Sequence, residues 1–254
     1  MTMQQHQDAG RPVDDDPTAA GKRRYALYYT PSADHPLTVA AAHWLGRDAF
    51  GRSGMAEDAR PDADRQLTAE PRRYGFHATL KAPFRLRPGT SRPELEDALR
   101  RFAESRPPCP IGPLRVATLG SFVALVPRAA SPMLQGFAAQ VVSEFDAFRA
   151  PLTEPERHRR RQSGLDATET GYLEQWGYPY VFDRFRFHLT LTGPVPESAR
   201  DGVARRLEAL FASLLDEDFP LDALTLFEQD HPAGEFVAIA RFGLGVPGQD
   251  RARA

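Results

Sequence analysis

The chain has 254 residues, 41% of them hydrophobic and 26% charged, with a net charge of −2. That length permits one large domain or two small lobes, and the near-neutral balance excludes bulk attraction to nucleic acid or an anionic membrane. A lone cysteine, Cys109, excludes an intramolecular disulfide and a cysteine-based zinc site.

Residues 1–21 are polar, carry Asp14-Asp15-Asp16, and hold almost no large apolar side chain, which predicts a disordered tail. The N-terminus lacks the basic-then-apolar layout of a secretory signal. No apolar run approaches the roughly 20 residues of a membrane span, so a cytoplasmic location without membrane association is expected. A single domain is expected over 22–246, with 247–254 a frayed tail. Order begins with an aromatic strand, Arg23 to Tyr29, in which Tyr25 and Tyr29 share a face opposite Tyr28. An Ala-rich helix from Pro36 to Leu45 stops at Gly46. Glycines, prolines and aspartates punctuate 46–74, which reads as a long loop. A strand from Tyr74 to Lys81 follows. Ser91-Arg92-Pro93-Glu94 then opens a helix with a reciprocal cap, and Leu95, Leu99 and Phe102 form its apolar face. Cys109 sits among prolines and reads as a loop residue. Strands at Leu114–Leu119 and Phe122–Val126 precede a helix at Pro132–Phe148. Residues 153–177 read as one or two polar helices broken at Gly164; their basic run is a solvated face or an anion-binding insert. An aromatic loop leads to a strand over Arg186–Thr192, a helix over Glu197–Leu215, and strands at Leu221–Glu228 and Glu235–Phe242.

Two stretches copy each other: Phe76-His77-Ala78-Thr79-Leu80 and Phe187-His188-Leu189-Thr190-Leu191. Polar and apolar residues alternate in both, which predicts strands that present His and Thr on one face, about 7 Å apart at their roots. Two imidazoles and two hydroxyls around one pocket suit phosphate ester chemistry, in which one His takes a proton, the other gives one, and the hydroxyls bind oxygens. One copy alone is a common structural pair; the second copy, with its flanking Phe and Leu, changes the reading. The surrounding order also repeats. A motif strand, a helix, Pro113-Leu114-x-Val116 and Phe122-Val123-Ala124-Leu125 match a motif strand, a helix, Pro220-Leu221-x-Ala223 and Phe236-Val237-Ala238-Ile239. The histidines lie 111 residues apart and the two phenylalanines 114 apart, so the units, about 74–127 and 184–243, are nearly equal in length. Packed around a pseudo-two-fold axis, such units bring both motifs to one junction, a usual place for a ligand.

These doubled His-x-Thr motifs on a duplicated α+β unit resemble the two-histidine phosphoesterase superfamily. Arg24-Tyr25-Ala26-Leu27-Tyr28-Tyr29, Tyr74-Gly75-Phe76-His77-Ala78-Thr79-Leu80-Lys81 and Trp176-Gly177-Tyr178-Pro179-Tyr180 with Phe187-His188 are similar to a family encoded near bacterial phosphonate-utilisation genes. The resemblance implies a bilobal LigT-like fold, with two antiparallel sheets facing a central cleft and helices outside. It also implies cofactor-free, metal-free chemistry on a nucleotide 2′,3′-cyclic phosphate, a ribose cyclic phosphate or an RNA end. His77, Thr79, His188 and Thr190 are then the catalytic set. Lys81, next in alternation after Thr79, is expected to face the same side and add positive charge, or else to be a strand-edge lysine in solvent. Arg186 shares a face with His188 and is a further candidate for binding substrate. Tyr28, Tyr178 and Tyr180 could stack on a base or ribose, or pack in the core. Zinc normally takes three or four ligands, and neither motif has a local partner for its histidine, so no metal site is predicted. The other function in view is a nucleotide or RNA-end binding module that uses the same cleft without turnover. Oligomeric state is not readable from the sequence, and a monomer is the default expectation.

Overall fold

A computed structural model describes residues 23–52, 60–162 and 164–245. The two expected terminal tails lie outside these residues. The aromatic run is strand β1 (Arg24–Tyr29), buried along its whole length. Helix α1 (Pro36–Leu45) follows and ends on Gly46 in the left-handed conformation. The stretch expected to be a loop contains a second helix, α2 (Asp62–Tyr74). Its prolines and aspartates read as breakers, yet each has a helical role. Pro61 precedes the first turn, where Asp62 and Asp64 favour the positive end of the helix dipole. Pro71 lies inside the helix and has no N–H to give. The carbonyl of Leu67, four residues earlier, instead accepts the N–H of Gly193 at 2.7 Å.

The first motif strand is β2 (Ala78–Phe84), followed by α3 (Arg92–Glu104). The reciprocal cap is present: Ser91 N–H donates to Glu94 Oε2 at 2.7 Å, and the Ser91 side chain accepts from the Glu94 N–H. Ser91→Ala is expected to cost about 1 kcal/mol in urea unfolding with the folded structure unchanged.

Cys109 proves to lie in a short strand, β3 (Cys109–Gly112), paired with β7 (Phe219–Leu221). Pro110 stands opposite Pro220 in this two-stranded ribbon. Proline lacks a donor and is tolerated where the ladder needs none, so the ribbon does not show in the sequence pattern. Next come the hairpin β4 (Leu114–Leu119) and β5 (Phe122–Pro127), and helix α4 (Pro132–Glu144), which tightens into a short turn ending at Phe148. The polar segment is two helices, α5 (Glu154–Arg161) and α6 (Ala167–Trp176). Part of its basic run is spent internally: Arg157 and Arg161 both pair with Glu174. The second motif strand, β6 (Leu189–Thr190), is only two residues long. Helix α7 (Glu197–Phe211) leads to β7 and to the hairpin of β8 (Ala223–Gln229) and β9 (Val237–Gly243).

The strands form two main antiparallel sheets, ordered β2-β1-β8-β9 and β4-β5-β6. The fold is therefore α+β. The first motif strand, β2, sits in the sheet that holds the β8–β9 hairpin, and the second, β6, sits beside the β4–β5 hairpin. Tyr25 and Tyr29 face the larger core with Leu27, Phe76 and Phe187, whereas Tyr28 packs in a smaller cluster with Tyr74, Phe227 and Phe236. No described helix is long and apolar enough to cross a membrane.

Candidate active site

Both histidines stand just before their strands rather than within them, since β2 begins at Ala78 and β6 at Leu189. A shared local device holds them. His77 Nδ1 lies 2.9 Å from the carbonyl oxygen of Gly75, and His188 Nδ1 lies 2.7 Å from that of Arg186. In each case the carbonyl is two residues earlier and can only accept. The neutral ring therefore carries its proton on Nδ1 and leaves the lone pair on Nε2. Thr79 Oγ1 is 3.3 Å from His77 Nε2.

Strand β2 lies against β6. Thr79 and His188 line one cavity together with Tyr178, Tyr180, Arg184, Phe185 and Arg186. Thr190 pairs across to Ala124 and is not in that lining. His77 joins the group through Thr79, and the charge of His188 acts on its titration. Burial is the main reason that the His77 pKa falls to about 4; the charges of His188 and Arg47 lower it further, against the Gly75 hydrogen bond. The His188 pKa is also lowered, first by burial and then by the Arg186 guanidinium. Burial pushes the Tyr178 hydroxyl up to about 12, so it stays protonated and can donate.

Two expected substrate contacts are elsewhere. Tyr28 is 1% exposed and stacks on the His77 ring, with centroids 3.9 Å apart and planes at 26°. It backs the imidazole and offers no free face to a nucleobase. Lys81 is 4% exposed and donates to Asp146 at 3.0 Å and to the Val142 carbonyl at 3.1 Å. The reason is a bulge. Tyr28 pairs with Thr79 but Leu27 pairs with Lys81, so Leu80 is an extra residue on β2. Paired residues share a side of the sheet, and the bulge therefore turns Lys81 away from Thr79. Burial pushes the Lys81 pKa down to about 8, against the pull of Asp146.

Two arginines were not foreseen. Arg47 is 9% exposed and gathers the carbonyls of Arg72 at 2.9 Å, Arg73 at 3.0 Å and Phe236, while pairing with Glu235 at 2.8 Å. It fixes the end of α2 immediately before Gly75, the residue that holds His77. Arg184 reaches the cavity wall two positions before Arg186, and extending that alternation backwards would have found it. Nothing in the sequence pattern marks Arg47. Among the described residues, no three His, Cys, Asp or Glu side chains cluster to hold a metal ion.

Comparison with known proteins adds to this geometry. Residues 79–237, more than half of the chain, match a family described as "Protein of unknown function (DUF1045)". The chain belongs to the DUF1045 family. Two curated relatives of this DUF1045 protein are named ribose 1,5-bisphosphate phosphokinase PhnN. That of Janthinobacterium sp. (strain Marseille) is 37% identical over 234 residues, covering 89% of this chain and 52% of the relative. That of Laribacter hongkongensis (strain HLHK9) is 34% identical over 216 residues, covering 84% and 50%. The DUF1045 chain thus spans about half the length of the curated relatives it matches. Among solved structures, E. coli LigT complexed with NADP+ matches at 15% identity, covering 88% of this chain and 98% of that one, with a TM-score of 0.42. The conserved protein ATU0111 of Agrobacterium tumefaciens matches at 13% identity, covering 86% and 85%, with a TM-score of 0.41.

Proposed function

We propose that this DUF1045 protein is a metal-independent phosphoesterase that opens a cyclic phosphodiester by acid–base catalysis between His77 and His188. The observation that carries this reading is the repeated posture of the two rings, each tied through Nδ1 to the carbonyl two residues back so that Nε2 is the reactive atom. The doubled motif and its resemblance to two-histidine phosphoesterases support it. The singly protonated pair supplies one neutral ring as base and one protonated ring as acid, written here with His77 as the base and His188 as the acid. His77 Nε2 removes a proton from water, whose oxygen attacks phosphorus. The bond from phosphorus to one ring oxygen breaks, and His188 Nε2–H protonates that oxygen. Thr79 and Thr190 donate to the non-bridging oxygens as charge builds there. The products are a phosphomonoester and a free hydroxyl.

The relatives' name points to a phosphorylated ribose as the substrate class. Its kinase part calls for a phosphate cradle of the Gly-x₄-Gly-Lys-Ser/Thr kind. The chain's one Gly-Lys pair, Gly21-Lys22, has Asp16 where that run has its first glycine and Arg23 where it has Ser or Thr. An ester-opening activity on a ribose phosphate therefore fits this chain better than phosphoryl transfer from a nucleotide.

The test is turnover of ribose cyclic phosphates and nucleoside 2′,3′-cyclic phosphates in the presence of EDTA. Binding without any turnover would instead favour a nucleotide or RNA-end module. The pH profile is a second check. Burial lowers both pKa values below 6.5, that of His77 to about 4, so the singly protonated pair is populated only on the acid side of neutrality. The kcat/KM maximum, which reports the free protein, is expected below pH 6.5. A maximum above pH 8 would contradict the assignment.

A further inference from the structure

The charge in the cavity exceeds what a cyclic phosphodiester needs. Such an ester carries one negative charge, which one imidazolium matches. Yet Arg184 and Arg186 stand in the same lining, and no acidic side chain lines it. The Arg186 side chain is exposed and makes no hydrogen bond or ion pair among the described residues. Arg184 pairs with two carboxylates, Asp166 at 2.8 Å and Asp183 at 3.7 Å, while its Nε is buried with no hydrogen-bond partner. The turn that presents it, Phe182–Arg184, is strained: Phe182 has φ of 52°, a left-handed conformation that a bulky residue rarely adopts. Strain of this kind persists only where the surroundings enforce it, and it concentrates at ligand clamps. Here Tyr172 and Trp176 pack on the Phe182 ring, and the Tyr172 hydroxyl donates to Asp183 at 2.6 Å.

We propose that Arg184 and Arg186 form a second anion seat in the cleft, for a phosphomonoester carried on the same substrate as the cyclic phosphodiester. Arg186 supplies an unpaired guanidinium and Arg184 a buried Nε–H with no partner, and arginine suits the planar, paired recognition of a phosphomonoester, which carries about −1.5 to −2 near pH 7. The inference rests on the phosphoesterase reading and narrows its substrate to a ribose ring with two separate phosphates.

The experiment compares adenosine 2′,3′-cyclic phosphate with the same compound bearing a 5′-phosphate. For each, kcat/KM is measured with the wild type, and Kd is measured with the wild type and with His77→Ala/His188→Ala. The 5′-phosphate is expected to tighten binding about tenfold or more. Arg186→Gln and Arg184→Gln are each expected to shrink that preference to less than about threefold. Arg186 is exposed, so its substitution leaves the packing intact. Equal binding of the two compounds by the wild type, or binding of neither, overturns the seat. A preference that survives both substitutions also overturns it. So does an equal loss on both compounds, which would put the arginines on the cyclic phosphate. Absent turnover with an intact Kd preference would sink the phosphoesterase reading and leave the seat standing.

Discussion

Alanine at His188 is expected to lower kcat on a cyclic phosphodiester by ~10²–10⁴-fold, the usual worth of a positioned acid or base, and His77→Ala should do the same. The double variant should be little worse than the worse single one, because the two rings act on one proton inventory. The assignment of roles has a sharper signature. If His188 protonates the leaving oxygen, a substrate whose leaving group needs no proton, such as a p-nitrophenyl phosphodiester, recovers most of its rate in His188→Ala. It recovers none in His77→Ala, where activation of water is lost. The opposite pattern exchanges the roles, and equal rates in all three proteins remove the histidines from the chemistry. Thermal unfolding keeps the comparison fair: His77→Ala also loses the stack on Tyr28, whereas His188 has only a tilted contact with Phe122 at 5.7 Å.

Gly75→Ala is expected to be the most damaging single change outside the motif itself. Gly75 has φ of 74° and ψ of −178°, a region open essentially to glycine alone. A Cβ there would sit 2.4 Å from the Cβ of Ala49. Strain and overlap together are expected to cost about 3 kcal/mol or more, read as a fall in urea midpoint. The same substitution moves the carbonyl that fixes the His77 tautomer, so kcat should fall beyond what the unfolded fraction explains. Adding Ala49→Gly separates the two causes. It removes the 2.4 Å overlap, leaving the Ala49 Cα at 3.2 Å and the backbone strain, and should restore only part of the stability. Full restoration would show that crowding alone makes glycine necessary.

Much of this was legible in the residues, and the exceptions have physical reasons. The paired His-x-Thr runs, the cap at Ser91 and Glu94, and the matching hairpins after each motif are local patterns with local causes, and the structure contains each of them. The faces of Tyr25, Tyr28 and Tyr29 also follow from simple alternation. What failed depended on partners far along the chain. Lys81 was misplaced because the bulge at Leu80 is a property of the pairing with β1, not of β2 alone. Helix α2 was hidden because Pro71 reads as a breaker until Gly193 accepts the role of donor to Leu67. Arg47 serves Gly75 from a separate element, and no spacing in the chain announces it.

The pairing of strands across the middle of the chain bears on how it can be divided. Among the described residues, β6 and β7 pair with no strand of the second half; β5 and β3 of the first half supply their partners. Neither half alone can satisfy the edges of its own strands. Cutting the present chain between β5 and α4 should accordingly yield pieces that are inert singly and regain structure only when mixed.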